Sequence, residues 1–248
     1  MRPVVLITGG SRGIGAATAL LAAEQGYAVG INYSTNSQAA SALVERIQAG
    51  GGTALAIQAD VAQEAQVLAM FKAVDEQLGR LSALVNNAGV VDVGSRVDAM
   101  SVARLRRMFD INLLGSFLCA REAVLRMSTR HGGQGGSIVN VSSVAAKLGG
   151  TGQYVDYAAS KGAIDTMTIG LAKEVALEGI RVNAVRPGII DTEIHASGGQ
   201  PNRVQEMTPM LPMKRPGTAE EVAQAIMWLV SPLSSYTTAS FVDVTGGR

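Results

Sequence analysis

The stretch QYVDYAASKGA, Gln153 to Ala163, brings two tyrosines and a lysine close together. A tyrosine hydroxyl can pass a proton to or from a reacting oxygen. On a helix, residues i and i+4 share a face, so Lys161 meets Tyr157, whereas four residues beyond Tyr154 stands Ala158. A phenol titrates near about 10 and is a poor base at neutral pH. A fixed ammonium nearby favours the phenolate and lowers that value. The spacing marks Tyr157 as the proton-transfer candidate. Tyr154, at or before the helix start, becomes a candidate for the wall of a substrate pocket. Upstream, VNVSS offers two hydroxyls, Ser142 and Ser143, either of which could polarise a carbonyl oxygen.

A second group of residues could hold a phosphate. TGGSRGIG, Thr8 to Gly15, follows an apolar run and opens a helical segment carrying Ile14, Ala17 and Leu21. Its glycines let backbone amides approach a ligand, and the helix start presents unpaired N–H groups to an anion. The spacing, Gly9-x-x-x-Gly13-x-Gly15, departs from the usual G-x-G-x-x-G fingerprint.

These groups need elements to position them. Apolar, β-branched runs occur at 3–8, 28–33, 54–59, 82–88, 137–142, 180–185 and 240–244. Helix-period stripes lie between, such as Val67, Phe71, Val74 and Leu78, or Val222, Ile226 and Leu229. This alternation predicts one α/β domain over 1–248: a doubly wound, seven-stranded parallel sheet with helices on both faces. In such sheets ligands bind beyond the carboxyl ends of the strands. The polar outliers fall at those ends: Asp60 after the third run, Asn86 and Asn87 after the fourth, Ser142 and Ser143 after the fifth, Pro187 and Gly188 after the sixth. The rhythm breaks only at 188–217, which reads as a long loop. Loops of that length are usually functional. A substrate lid is expected there, with Met207, Met210 and Met213 available to line an adaptable apolar pocket.

Composition excludes several classes. Of the 248 residues, 47% are apolar and 17% charged, which suits a sheet covered on both faces. A net charge of +1 gives no reason to expect nucleic acid or an anionic membrane as partner. A single cysteine, Cys119, rules out an internal disulfide framework and fits a reducing compartment. No secretory segment and no run long enough to span a membrane is apparent, so a soluble cytoplasmic protein is expected. No metal-ligand set is assigned.

TGGSRGIG, NNAG, the set Ser143…Tyr157-x-x-x-Lys161 and RPGIIDT together resemble the short-chain dehydrogenase/reductase family, in order and across essentially the whole chain. Within it the chain is similar to bacterial sugar dehydrogenases of the glucose 1-dehydrogenase type and to 3-oxoacyl-acyl-carrier-protein reductases. The resemblance implies a Rossmann-like oxidoreductase moving hydride between a nicotinamide and a carbonyl or secondary alcohol. It assigns Tyr157 as general acid/base, and Lys161 to lower its pKa and bind the nicotinamide ribose. The second serine, Ser143, would orient the substrate oxygen, and Asn112, in FDINLLGS, a water leading from the lysine to solvent. Around the cofactor it places Gly9, Ser11, Arg12, Gly13, Ile14 and Gly15 in the first turn, then Asn32, Tyr33 and Ser34. Asp60, at the adenine, and Val61 follow, then Asn87, Ala88 and Gly89. Pro187, Gly188, Ile190 and Thr192 complete the set, the threonine at the carboxamide. The family commonly forms tetramers, which accords with segments 105–127 and 157–177 being apolar on more than one face. Ser143 and Tyr157 are fourteen residues apart, one more than in the ketoreductases it resembles, which would put an extra residue in the Tyr154 loop.

Charge argues for the cofactor type. NAD-binding members carry an acid at the end of the second strand. Here that end reads INYSTN, with no carboxylate until Glu45, and Arg12 offers forked donors to a phosphate. NADP(H) is expected over NAD(H). His195, a lone loop histidine, is expected to be solvent-exposed and is given no role. A catalytically idle cofactor-binding sensor or scaffold is the alternative, though it has no need of all four catalytic residues. A methyltransferase would leave the Tyr157–Lys161 pair and NNAG unexplained.

Overall fold

The computed structural model describes Arg2 to Arg248. Strands and helices alternate from the start: β1 (Val4–Ile7), α1 (Gly13–Glu24), β2 (Ala28–Tyr33), α2 (Ser37–Ala49), β3 (Thr53–Gln58), α3 (Glu64–Gln77), β4 (Leu81–Asn86). There follow α4 (Val102–Phe109), α5 (Gly115–Met127), β5 (Gly136–Val141), α6 (Ala145–Leu148), α7 (Val155–Val175) and β6 (Ile180–Pro187). The chain ends with α8 (Ile194–Ser197), α9 (Arg203–Met207), α10 (Ala219–Val230) and β7 (Phe241–Val244). The seven strands form one parallel sheet in the order β3-β2-β1-β4-β5-β6-β7. The seven expected strands are all present.

Alternation along the strands builds two cores. In β1, Val5 and Ile7 face α1, α2 and α10, while Val4 and Leu6 face α3, α5 and α7. The two expected stripes point inward: Val67, Phe71 and Val74 are buried under one face, and Val222, Ile226 and Leu229 under the other. Helix α10 starts at a capping box, in which Thr218 Oγ1 accepts from the Glu221 amide at 3.2 Å and the Glu221 carboxylate accepts from the Thr218 amide at 2.9 Å. Connections leave β1 and β4 in opposite directions, which opens a crevice at their carboxyl ends.

Two expectations need correction. Residues 188–217 are not a bare loop: α8, α9 and a 3-10 turn at Thr208–Met210 occupy them. Ile189, Val204 and Leu211 form a small core there, with Met207 packed on it. The methionines do not line a pocket: Met207 serves that local core, and Met210 and Met213 are 66% and 57% exposed. The segment carrying Asn112 has an irregularity of its own. It is broken between α4 and α5 by a π-turn at Asp110–Leu114, where the Gly115 amide reaches back to the Asp110 carbonyl. Such turns shift the backbone ladder by one residue and recur at functional sites.

Candidate active site

The first βα turn is built for close approach. Gly9 has φ +59°, and a Cβ on it would lie 2.9 Å from Ala88 Cα. A Cβ on Gly15 would stand 2.5 Å from the Gly9 carbonyl oxygen, so Gly15 seals the turn against its own helix and does not line the cleft. Asn87 Nδ2 donates to the carbonyls of Thr8 and Gly9, each at 2.9 Å. Thr8 Oγ1 accepts from the amides of Asn87 and Ala88, each at 3.0 Å. Thr8 was not among the expected site residues, although a threonine between strand and glycine turn was a signal for it. At the N-terminus of α1, Arg12 is the N-cap, makes no side-chain cap, and no acid occupies the first turn. That end of the helix is therefore available to an anion.

Two adjoining hollows meet at Ile14, Asn87, Gly89, Thr192 and Ile194. One holds Gly9, Ser11, Arg12, Gly13, Asn32, Tyr33 and Ser34, with Asp60, Val61 and Ala88 opposite. The other holds Ser143, Tyr154, Tyr157 and Lys161, with Pro187, Gly188 and Ile190. Asn32 reaches the lining, but its side chain is spent on the fold: Oδ1 accepts from the Gly9 amide at 3.1 Å and Nδ2 donates to Ala59 O at 2.9 Å. Asp60 Oδ1 accepts from the Ala62 amide at 3.0 Å. Asn86 turns away altogether, donating to Asn140 Oδ1 at 3.0 Å beneath the sheet edge.

Both serines border the hollow, and their hydroxyl partners separate them. Ser142 is buried and donates to Asp165 Oδ1 at 2.7 Å, while Arg186 Nε donates to Asp165 Oδ2 at 2.9 Å. That chain clamps α7 against β5. Ser143 lines the hollow, where its hydroxyl accepts from the Ala145 amide at 3.1 Å and keeps its proton to offer. Lys161 Nζ donates to Val141 O at 2.7 Å and sits 5.7 Å from the centre of the Tyr157 ring. Asn112 is fully buried behind this set and does not line either hollow. Its Oδ1 accepts from the Val90 amide at 2.8 Å, and its Nδ2 donates to Val90 O at 2.9 Å and Ser160 Oγ at 3.2 Å. A Cβ on Gly89 would be 3.5 Å from both Asn112 Oδ1 and Lys161 Nζ, so the two groups flank one backbone position.

Burial shapes the electrostatics. Desolvation pushes Lys161 down to about 8, opposed by the Asp165 carboxylate. Tyr157 is pushed up by burial, with the Ser143 hydroxyl pulling the other way. The expected lowering by the lysine is not what governs the phenol. Lys161 turns its ammonium to the Val141 carbonyl, and loss of water around the phenol outweighs the rest.

Three cleft residues had no role in the sequence reading. His195 is not solvent-exposed but lines the hollow, with Nε2 3.1 Å from Ile190 O. Arg203, over the Tyr154 ring at 5.1 Å, and Arg248 line it as well. Each comes from a segment without periodicity, so no spacing announced it. A buried ion pair was also hidden: Arg104 Nε donates to Asp156 Oδ2 at 2.7 Å, joining α4 to the first turn of α7.

With this geometry in place, comparisons with known proteins agree. A family model described as enoyl-(acyl carrier protein) reductase matches residues 9–248. An uncharacterized oxidoreductase of Escherichia coli (strain K12), YgfF, is 56% identical over 245 residues, covering 99% of each chain. A 3-oxoacyl-[acyl-carrier-protein] reductase of Synechocystis is 38% identical, covering 98% of this chain and 96% of its own. A solved structure of a Serratia marcescens short-chain dehydrogenase/reductase mutant superimposes with a TM-score of 0.90 at 31% identity, over 99% of this chain and 97% of that one.

Proposed function

Because the chain belongs to the short-chain dehydrogenase/reductase family, we propose that it is an NADP(H)-dependent oxidoreductase acting on a carbonyl or secondary alcohol. The observation that carries this reading is the convergence of Ser143, Tyr157 and Lys161 in a hollow continuous with the glycine-turn cleft. No feature of the site favours an idle cofactor-binding protein.

The residues present fit a dinucleotide. The uncapped start of α1 and the Gly9 approach suit a pyrophosphate, Asp60 and Val61 an adenine, and Lys161 a ribose. Pro187, Gly188, Ile190 and Thr192 border the nicotinamide end. When bound, the nicotinamide supplies or takes the hydride. The chain does the rest. Ser143 donates to the substrate oxygen and holds the carbonyl polarised. Tyr157 delivers the proton to that oxygen during reduction and removes it during oxidation. Lys161 steadies charge on the phenol oxygen, and Asn112 braces the Gly89–Val90 backbone and α7 on either side of the lysine.

Arg12, Tyr33 and Ser34 border the adenosine side, and no acid stands at the end of β2. A 2′-phosphate there finds donors, and no carboxylate at the end of β2 opposes it. NADPH is expected to exceed NADH in kcat/KM. Charge-assisted hydrogen bonds to a phosphate are worth about 1.5–3 kcal/mol, so Arg12→Ala is expected to lower kcat/KM for NADPH about ten- to hundredfold and leave that for NADH unchanged. A wild-type advantage for NADH would overturn the assignment.

Residues 188–217, bordering both hollows, are proposed as the substrate lid. The proposed assembly is a homotetramer. Leu114, Phe117 and Leu125 of the α5 region are exposed, as are Ile169 and Leu177 in and after α7, an apolar surface that a partner would cover. A solution mass equal to one 25.6-kDa chain would exclude it. The cytoplasm is the proposed location, consistent with a buried free Cys119 and with no described helix long and apolar enough to cross a membrane.

A further inference from the structure

Three side chains that the proposed chemistry leaves unused converge on the hollow that holds Ser143 and Tyr157. Arg203 lies over Tyr154 and donates to the side-chain oxygens of Gln153 at 3.0 Å and Gln200 at 2.5 Å, which are neutral partners. Arg248 comes from beyond the end of β7, and His195 from α8. No aspartate or glutamate lines this hollow. Neither Arg203 nor Arg248 is in an ion pair among the described residues. Burial and then the charge of Arg203 hold Arg248 below its ordinary value. Burial chiefly, and Arg203 in addition, hold His195 down, although Asp191 opposes this from outside the lining. Two guanidiniums that disfavour each other, in a hollow lined by no aspartate or glutamate side chain, suit an anionic ligand.

Further lining residues, Val91, Val144, Leu148 and Ile189, are apolar. Such walls suit a short hydrocarbon between the reacting carbonyl and an anionic end. Resting on the oxidoreductase reading above, we infer that the substrate is a small carbonyl compound bearing its own anion, an oxo acid or oxo phosphate. Its carbonyl oxygen lies at Ser143 and Tyr157, and its carboxylate or phosphate is gripped by Arg203 and Arg248. Arginine suits this role because its planar donors match two oxygens at once. The step balances as ordinary reduction: the carbonyl carbon gains hydride from the reduced cofactor, the oxygen gains the Tyr157 proton, and a hydroxy acid leaves with the oxidised cofactor. A neutral sugar makes no use of the two arginines.

The test compares matched pairs with NADPH. The probes are 2-oxobutanoate and 3-oxobutanoate against their methyl esters, dihydroxyacetone phosphate against dihydroxyacetone, and the N-acetylcysteamine thioester of 3-oxobutanoate. An anion is expected to raise kcat/KM about ten- to hundredfold over its neutral match, the range set by charge-assisted hydrogen bonds. The carboxylate and phosphate arms identify which anion is preferred. Arg203→Gln is expected to raise KM for the anion by a similar factor while kcat/KM for the ester stays within about twofold. Arg248→Gln, at a more exposed position, should act in the same direction and serves if Arg203→Gln fails to fold. Esters or the thioester used as well as the acids would overturn the inference while sparing the oxidoreductase reading. So would an Arg203→Gln loss shared equally by acid and ester. Failure of every probe, neutral and charged, would sink both.

Discussion

Tyr157→Phe is expected to lower kcat/KM about a thousandfold, within the 10²–10⁴ range that positioned proton transfer contributes, with cofactor affinity changed by less than about twofold. The substitution removes one oxygen and keeps the ring that packs on α7. In the structure that oxygen sits in a hollow with Ser143, whose hydroxyl is the polar group that opposes the effect of burial on the phenol. Without it, the oxygen of a bound carbonyl has a hydrogen-bond donor but no proton source. Steady-state kinetics and fluorescence titration with NADPH separate the two effects. Activity within about tenfold of wild type would refute the assignment.

Lys161→Met should abolish turnover to a similar degree, about a thousandfold, and weaken cofactor binding as well, because the same ammonium faces Gly89 and the proposed ribose site. It carries a second signature, which reports the burial of the ammonium. Burial lowers Lys161 from 10.5 in its ordinary state to about 8 in the folded protein. Between those values the unfolded chain holds a proton that the folded chain does not, so this group makes stability rise as pH rises through the window. Below about 8 both states are protonated and the burial cost is fully present. In the cofactor-free protein, wild type should therefore gain about 2 kcal/mol over Lys161→Met between pH 8 and pH 10. Urea denaturation at the two pH values measures it. An unchanged difference would mean that the lysine keeps an ordinary pKa and that its burial has no energetic consequence.

The two substitutions probe different layers of legibility. Tyr157 and Lys161 could be paired from the sequence because one helical turn is a local distance. The seven strands were legible for a similar reason: a parallel strand buried on both faces is a continuous apolar run, as in VVLI of β1. The choice of Ser143 over Ser142 rested on the family resemblance, and packing supplies its physical reason. Ser142 is consumed by Asp165 and Ser143 is not. Asn112 was found by resemblance, yet its geometry depends on a π-turn that no period of 3.6 residues signals. Asn32 and Gly15 were expected at the cofactor because they lie in the right segments. The structure turns the polar atoms of one and the empty side of the other towards the protein itself.

The order of residues alone determined the parallel sheet, the glycine turn and the spacing of Tyr157 and Lys161, because each depends on local periodicity. Tertiary structure decided what lines the hollow beside Tyr157. His195, Arg203 and Arg248 come from segments separated by up to fifty-three residues of sequence, and no local repeat relates them. They meet because α8, α9 and the chain's last residues fold over the end of the sheet, where charge, burial and shape add together only in space.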